Sequence, residues 1–274
     1  MANNLLQGKR GIIFGALDEK SIAWKVALRA KEEGAAFTLT NAPVAMRLGQ
    51  IKELAGICQA EVIAADATQE TDLENLFRQS MEILGGGLDF VLHSIGMSPN
   101  VRKKRPYTDL NYQFYAQTVD VSAMSLHKTL QTAYKLNALN EWASVVGLTY
   151  IAAQRTFPDY NDMADAKAML ESIARTFGYY YGTHKKVRVN TISQSPTITT
   201  AGTGIKGFDA FFDYADKMSP LGNAPAEACA DYCITLFSDL TRYVTMQNLF
   251  HDGGFSSMGM SPAFMELLQK NQEE

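Results

Sequence analysis

A chain of 274 residues, 46% hydrophobic and 20% charged, with 20 Gly and 8 Pro, has ordinary globular proportions, which excludes disordered, collagen-like and low-complexity classes. A formal net charge of −4 and a pI near 5.6 argue against nucleic acid as the main partner. No apolar run approaches the ~20 residues of a membrane span, so no membrane partner is expected.

In chain order, Met1–Arg10 lacks the apolar stretch of a secretory signal. Short β-rich runs at Gly11–Phe14, Ala36–Thr40, Glu61–Ala65, Phe90–His93, Ala143–Leu148 and Val187–Ser193 read as strands, with a seventh near Gln247–His251. Helical patterns fall at Ser21–Glu32, Val44–Cys58, Glu70–Leu84, Leu110–Leu136 and Asp162–Thr183, and another starts near Pro225. Near-continuous apolar strands separated by amphipathic helices predict an α/β fold: a Rossmann-type, doubly wound parallel sheet of about seven strands. No repeat or linker divides the chain, so 1–274 reads as one domain. The looser Gln194–Gly207 is placed to act as a lid, with a surface loop as the alternative. Cys58, Cys229 and Cys233 have no His or further Cys near them to complete a zinc site, so they read as buried thiols, no metal is expected, and a reducing cytoplasm is the simplest location.

The first strand ends at Gly15 without a G-x-G-x-x-G fingerprint. One glycine still permits a tight turn, Ser21 can cap the next helix, and the open helix N-terminus is a seat for a pyrophosphate. Asp18 and Glu19 must then point away. Neither an acid for the ribose of NAD nor a basic cluster for the extra phosphate of NADP follows the second strand at Thr40-Asn41-Ala42-Pro43, where Arg47 is the nearest cation; the missing positive charge favours NADH, with NADPH as the alternative. Asp66 stands where it could meet an adenine amino group or cap the next helix. The fourth strand ends His93-Ser94-Ile95-Gly96, where a glycine lets a ligand approach the backbone at the edge used for binding in such sheets.

After the fifth strand come Tyr150 and then Tyr160 and Lys167. Seven residues of helix rotate through about 700°, so Tyr160 and Lys167 share a face to within roughly 20° and lie ~10.5 Å apart along the axis. A neutral phenol can donate a strong hydrogen bond and an ammonium supplies fixed charge, so the pair could stabilise an oxyanion beside a nicotinamide.

These pieces also occur in a familiar order. Gly15 with Ser21-Ile22-Ala23, His93-Ser94-Ile95-Gly96, Tyr150, Pro158 through Tyr160-Asn161, Met163, Ala166-Lys167, Val189-Asn190, Pro196, Gly204-Ile205-Lys206 and Asp252-Gly253-Gly254-Phe255 span almost the whole chain. In them the sequence resembles the bacterial enoyl-acyl-carrier-protein reductases, a divergent branch of the short-chain dehydrogenase/reductase superfamily. The specific element is the spacing of Tyr160 and Lys167; ordinary superfamily members carry Lys four positions after the Tyr, where this chain has Ala164.

The resemblance implies that Tyr160 hydrogen-bonds a thioester carbonyl, that Tyr150 lines the substrate pocket beside it, and that Lys167 holds the nicotinamide ribose. It places Gly15, Ser21, Ile22, Ala42, Asp66, Ala67, Ser94, Ile95, Gly96, Thr197 and Thr199 at the dinucleotide. Ser98, Met163 and Ile205 fall on the acyl side, with Thr197–Gly207 as a mobile substrate-binding segment. A homotetramer packed through Leu110–Leu136 and Asp162–Thr183 and a substrate carried by acyl carrier protein are implied as well. Two departures stand out. Ser195-Pro196-Thr197 replaces the usual Gly-Pro-Ile before the loop's Thr, and Asp209 and Ala210 replace basic residues that would greet an acidic carrier. Arg102-Lys103-Lys104-Arg105 offers another cationic surface or a merely solvated face. The implied reaction adds hydride from the nicotinamide to Cβ of a trans-2-enoyl thioester, with the enolate oxygen held by Tyr160. The competing readings are a ketone or other enone reductase of the same superfamily, and a nucleotide-binding regulator without catalysis.

Overall fold

The computed structural model describes residues 3–200 and 208–273. The strands are β1 (Arg10–Phe14), β2 (Ala36–Asn41), β3 (Val62–Ala64), β4 (Leu88–His93), β5 (Leu139–Thr149), β6 (Arg188–Gln194) and β7 (Asn248–His251). They form one sheet of order β3-β2-β1-β4-β5-β6-β7, and every neighbouring pair is parallel. The order reverses between β1 and β4, which places the ligand crevice of such a sheet at their carboxyl ends. The Rossmann-type α/β architecture expected from the alternating pattern is the one observed.

The helices are α1 (Ile22–Glu32), α2 (Pro43–Leu48), α3 (Ile51–Cys58), α4 (Glu70–Leu84), α5 (Pro99–Arg102), α6 (Tyr112–Val119), α7 (Ser125–Lys135), α8 (Asn161–Lys185), α9 (Phe208–Met218), α10 (Ala226–Phe237) and α11 (Pro262–Glu273). The helices that cover the sheet do so through apolar stripes. In α4, Leu73, Leu76, Phe77 and Ser80 are buried at helical spacing, and Gly85 ends the helix with φ 74°, a conformation that costs glycine little. One face of the sheet packs Trp24 and Ala27 of α1, Leu54 of α3 and Phe237 of α10. The other packs Leu76 and Phe77, Leu130 of α7 and Leu170 of α8. Cys58, Cys229 and Cys233 lie buried as free thiols.

The short α5 and the terminal α11 were not expected, and three further differences from the sequence reading bear on the site. The helix expected over Val44–Cys58 is broken at Gly49-Gln50, because the Gln50 N–H donates to Leu17 O at 2.7 Å and so tethers the turn after β1. The helix expected over Leu110–Leu136 is split by a π-helical segment, Asp120–Met124. There the Ser122 hydroxyl meets the Met97 N–H at 2.9 Å and Met97 O at 3.1 Å, tying the chain beyond β4 to this helix. Finally, α9 follows the described part of the Gln194–Gly207 segment, burying Phe208, Ala215 and Met218 on one side. No element was expected there.

Candidate active site

The carboxyl edge of β1 and β4 is shaped by two glycines. Gly15 has φ 92°, and a Cβ on it would collide with Ser94 O, so only glycine permits the turn to lie this close to the next strand. The Ser21 hydroxyl does not cap α1 as expected. It accepts from the Leu17 and Asp18 N–H groups at 3.2 and 3.1 Å, bracing the turn and leaving α1 without a side-chain cap. Uncapped N–H groups at a helix start favour an anion. Asp18 is turned into the turn itself: its Oδ1 accepts from the Lys20 N–H at 3.1 Å, and its Oδ2 accepts from Thr200 Oγ1 at 2.5 Å.

Around this turn, Ile22 opens α1 and Ala42 stands immediately before α2. Asn41 Nδ2 donates to Ala16 O at 3.1 Å. Asp66 Oδ1 accepts from the Thr68 N–H and hydroxyl at 2.9 and 2.7 Å, a local turn role for that oxygen, and Ala67 beside it is buried. Thr197 is half-buried and donates to Ser195 O at 2.9 Å. Thr199 lies just beyond it in the same segment. Gly204, Ile205, Lys206 and Gly207 lie outside the described residues.

At the same edge, Lys167 of α8 is 7% exposed. Its Nζ donates to Leu148 O at 2.8 Å and approaches Ile95 O at 3.5 Å, so it bridges the ends of β5 and β4. A Cβ on Gly96 would lie 3.5 Å from Lys167 Nζ and 3.9 Å from Met163 Cε, bringing Met163, Lys167 and the β4 edge together. Burial lowers the Lys167 ammonium to about 8, against the raising influence of Glu171. Glu171, one helical turn on, is itself buried, and its two oxygens accept from Thr149 Oγ1 and Gln154 Nε2 at 2.9 Å each. The sequence reading passed over this acid; its spacing of four from Lys167 on one helix was the available signal.

Tyr160 stands at the start of α8, and its ring lies 5.2 Å from that of Tyr150. The Tyr160 hydroxyl has no hydrogen-bond partner among the described residues, and Tyr150 carries a buried hydroxyl also without one. Burial raises both phenols, so they are protonated at neutral pH. Phe157, Phe211 and Phe255 pack with them, and a cleft of about 430 Å³ opens beyond Phe157 and Phe211. Ser98, expected on the acyl side, is 3% exposed; its hydroxyl donates to Asp162 Oδ1 at 2.7 Å and accepts from the Val101 N–H at the start of α5.

A buried lysine thus stands at the carboxyl ends of β4 and β5 beside Gly96, and a phenol pair lies just beyond β5. The model of the family described as "Enoyl-(Acyl carrier protein) reductase" matches residues 15–256. The chain belongs to the enoyl-(acyl carrier protein) reductase family. It is 32% identical over 261 residues to enoyl-[acyl-carrier-protein] reductase [NADH] 2 of Rhizobium meliloti, covering 94% of this chain and 95% of that one. A crystal structure of a FabI-NADH complex from Alistipes finegoldii superimposes with a TM-score of 0.93 at 64% identity, covering 94% of this chain and 91% of the other. The enoyl-[acyl-carrier-protein] reductase (NADH) of Aquifex aeolicus does so with a TM-score of 0.86 at 31% identity, over 93% of this chain and 99% of that chain. The reductase family membership agrees with the resemblance carried by Tyr160, Lys167 and the glycine edge.

Proposed function

We propose that this enoyl-(acyl carrier protein) reductase reduces the Cα–Cβ double bond of a trans-2-enoyl thioester with NADH, and that residues 1–274 act as one dinucleotide-binding catalytic domain. The observation that carries the site assignment is the buried Lys167 ammonium at the ends of β4 and β5, close to Gly96, with the paired Tyr150 and Tyr160 rings just beyond β5.

The residues present fit a dinucleotide. The Gly15 turn leaves room where any Cβ would collide with Ser94 O, and the uncapped start of α1 at Ser21-Ile22 suits a pyrophosphate. Ala42, Asp66 and Ala67 would border the adenosine; Ser94, Ile95, Gly96, Thr197 and Thr199 would border the nicotinamide end. In sequence the nearest cation to Asn41 and Ala42 is Arg47, and the lack of a basic cluster there to greet a 2′-phosphate favours NADH over NADPH. When bound, NADH supplies the hydride.

The chain's own groups do the rest. Lys167 holds the ribose with donors left over from Leu148 O. Tyr160 donates to the thioester oxygen, where negative charge gathers as Cβ becomes saturated. A fixed donor aimed at developing charge stabilises the transition state more than the ground state. Tyr150 fills the space beside Tyr160, and Met163 borders the acyl group. The aromatic wall of Phe157, Phe211 and Phe255 excludes water from the reacting atoms. After hydride transfer, a proton taken up from solvent at Cα completes the saturated chain.

The decisive assay follows NADH absorbance with crotonyl and acetoacetyl thioesters in turn. Oxidation with the enoyl thioester is expected; reduction of the ketone alone would overturn the assignment. Tyr160→Phe is expected to lower kcat by about 100-fold with the enoyl substrate, the usual scale for removing one oxyanion donor.

The acyl group is delivered on acyl carrier protein, and the enzyme works in the cytoplasm. The chain assembles as a homotetramer through α6–α8, which is supported by the exposed Tyr112, Met169, Tyr179 and Tyr180 on those helices. Light scattering on the eluted protein checks this: a monomer at micromolar concentration would refute it.

A further inference from the structure

Asp162 lies two residues beyond Tyr160 and is wholly buried, yet no cation pairs with it among the described residues. Three neutral side chains satisfy it instead. Its Oδ1 accepts from Ser98 Oγ at 2.7 Å. Its Oδ2 accepts from Asn100 Nδ2 at 2.8 Å and from Thr118 Oγ1 at 2.8 Å. A buried carboxylate without a cation is costly unless hydrogen bonds compensate it, and here three do.

The sense of these bonds is set by the surrounding structure. Ser98 Oγ already accepts from the Val101 N–H at 3.0 Å, so its proton is directed at Asp162. Asn100 Oδ1 accepts from the Asn111 N–H at 3.1 Å, so its amide nitrogen faces the carboxylate. The Thr118 hydroxyl also lies 2.8 Å from Phe114 O and shares its proton between two acceptors. Both carboxylate oxygens are therefore needed as acceptors. Through them the segment after β4, helix α6 and the first turn of α8 are joined at one point.

That first turn is strained. Asp159 and Asn161, on either side of Tyr160, have φ 67° and 48°, a region that non-glycine residues occupy at a cost. Asn161 Nδ2 donates to Arg105 O at 2.5 Å, a second tie on the same turn. Such a conformation persists where its surroundings over-determine it.

We infer that Asp162 is a positioning residue for the reaction: by pinning Ser98, Asn100 and Thr118 to the start of α8, it sets where the Tyr160 hydroxyl stands over the substrate. The inference rests on the reading of Tyr160 as the donor to the thioester oxygen. Lys167 hangs from Leu148 O and Ile95 O, outside this network, so cofactor affinity is independent of it.

A double-mutant cycle tests this. Asp162→Asn keeps the shape but turns a donor toward a donor. It is expected to lower kcat at least about 10-fold, since small misplacements of a catalytic group carry such penalties. NADH affinity, read by fluorescence titration without substrate, is expected to stay within about twofold. In a Tyr160→Phe background the same substitution is expected to cost less than about twofold, because a residue acting through the phenol loses its effect once the phenol is gone. Equal factors in both backgrounds, or an unchanged kcat in Asp162→Asn, would overturn the inference and leave Asp162 a structural residue. If Tyr160→Phe alone leaves kcat untouched, the reading of Tyr160 fails and this inference with it. Should Asp162→Asn fail to fold, Thr118→Val takes its place in the same cycle with the same criteria.

Discussion

Lys167 shows how one side chain acquires its chemistry from its surroundings. An exposed lysine keeps its charge well into alkaline solution, but burial against the β4 and β5 ends lowers this one to about 8. The ammonium form, proposed here to donate to a ribose, therefore empties as pH rises through about 8. NADH affinity of the substrate-free enzyme is expected to fall along that limb, and Lys167→Met is expected to bind NADH weakly with no such limb. Fluorescence titrations across pH 6.5–9.5 check both, the range bracketing the lowered value with ordinary margins. Glu171 opposes the lowering, so Glu171→Gln is expected to move the limb to lower pH; an unmoved limb would show that this carboxylate does not act on Lys167. His93, beneath the same edge, is lowered to about 3 by burial and then by the charge of Lys167. It stays neutral throughout, with Nε2 and the Ser125 hydroxyl 2.8 Å apart, and contributes no step to the pH profile.

At the scale of elements, the turn after β1 depends on a backbone approach more than on a motif. Gly15→Ala must displace Ser94 O or lose φ 92°, so it is expected to abolish measurable NADH binding while leaving far-ultraviolet circular dichroism unchanged. Retained affinity would move the dinucleotide site elsewhere. The G-x-G-x-x-G pattern is missing, yet the strand–turn–helix was still legible, because the apolar run Gly11–Phe14 and the helical stripe of Ala23, Trp24 and Ala27 do not depend on it. Helix α4 was legible end to end for the same reason, and Gly85 marked its stop. The breaks at Gly49-Gln50 and Asp120–Met124 were not. They are made by partners remote in the chain, Leu17 O and Met97, and no local pattern encodes an acceptor that only the fold brings near. The same holds for Ser21, whose hydroxyl was expected on the helix ahead and turns to the chain behind it.

At the scale of the molecule, Arg188 ties the far side of the sheet together. It is 1% exposed; its Nη1 donates to Leu236 O and Thr241 O at 2.8 and 3.0 Å, and its Nη2 to Ser238 O at 3.2 Å. Arg188→Met would strand these acceptors where α10 leads toward β7. A loss of roughly 2–4 kcal/mol in urea unfolding is expected, the scale for buried groups left unsatisfied. NADH affinity should change little, because the proposed binding edge lies at β1 and β4. An unchanged unfolding midpoint would show that water replaces the guanidinium without penalty.

Local patterning carried the parallel α/β sheet in this chain, since near-continuous apolar runs and hydrophobic repeats of 3.6 residues survive without knowledge of neighbours. The helix-face arithmetic of Tyr160 and Lys167 was local in the same sense, but it assumed a continuous helix, whereas Tyr160 stands just before α8 and Asn161 has φ 48°. What needed the assembled protein was every feature made by distant segments meeting. Asp162 reads in sequence as an ordinary acid in a first helical turn, and only folding brings Ser98, Asn100 and Thr118 onto its oxygens. The lowering of Lys167 likewise arises from burial, and burial belongs to the packed whole because the medium around a charge is built from residues far apart in the chain.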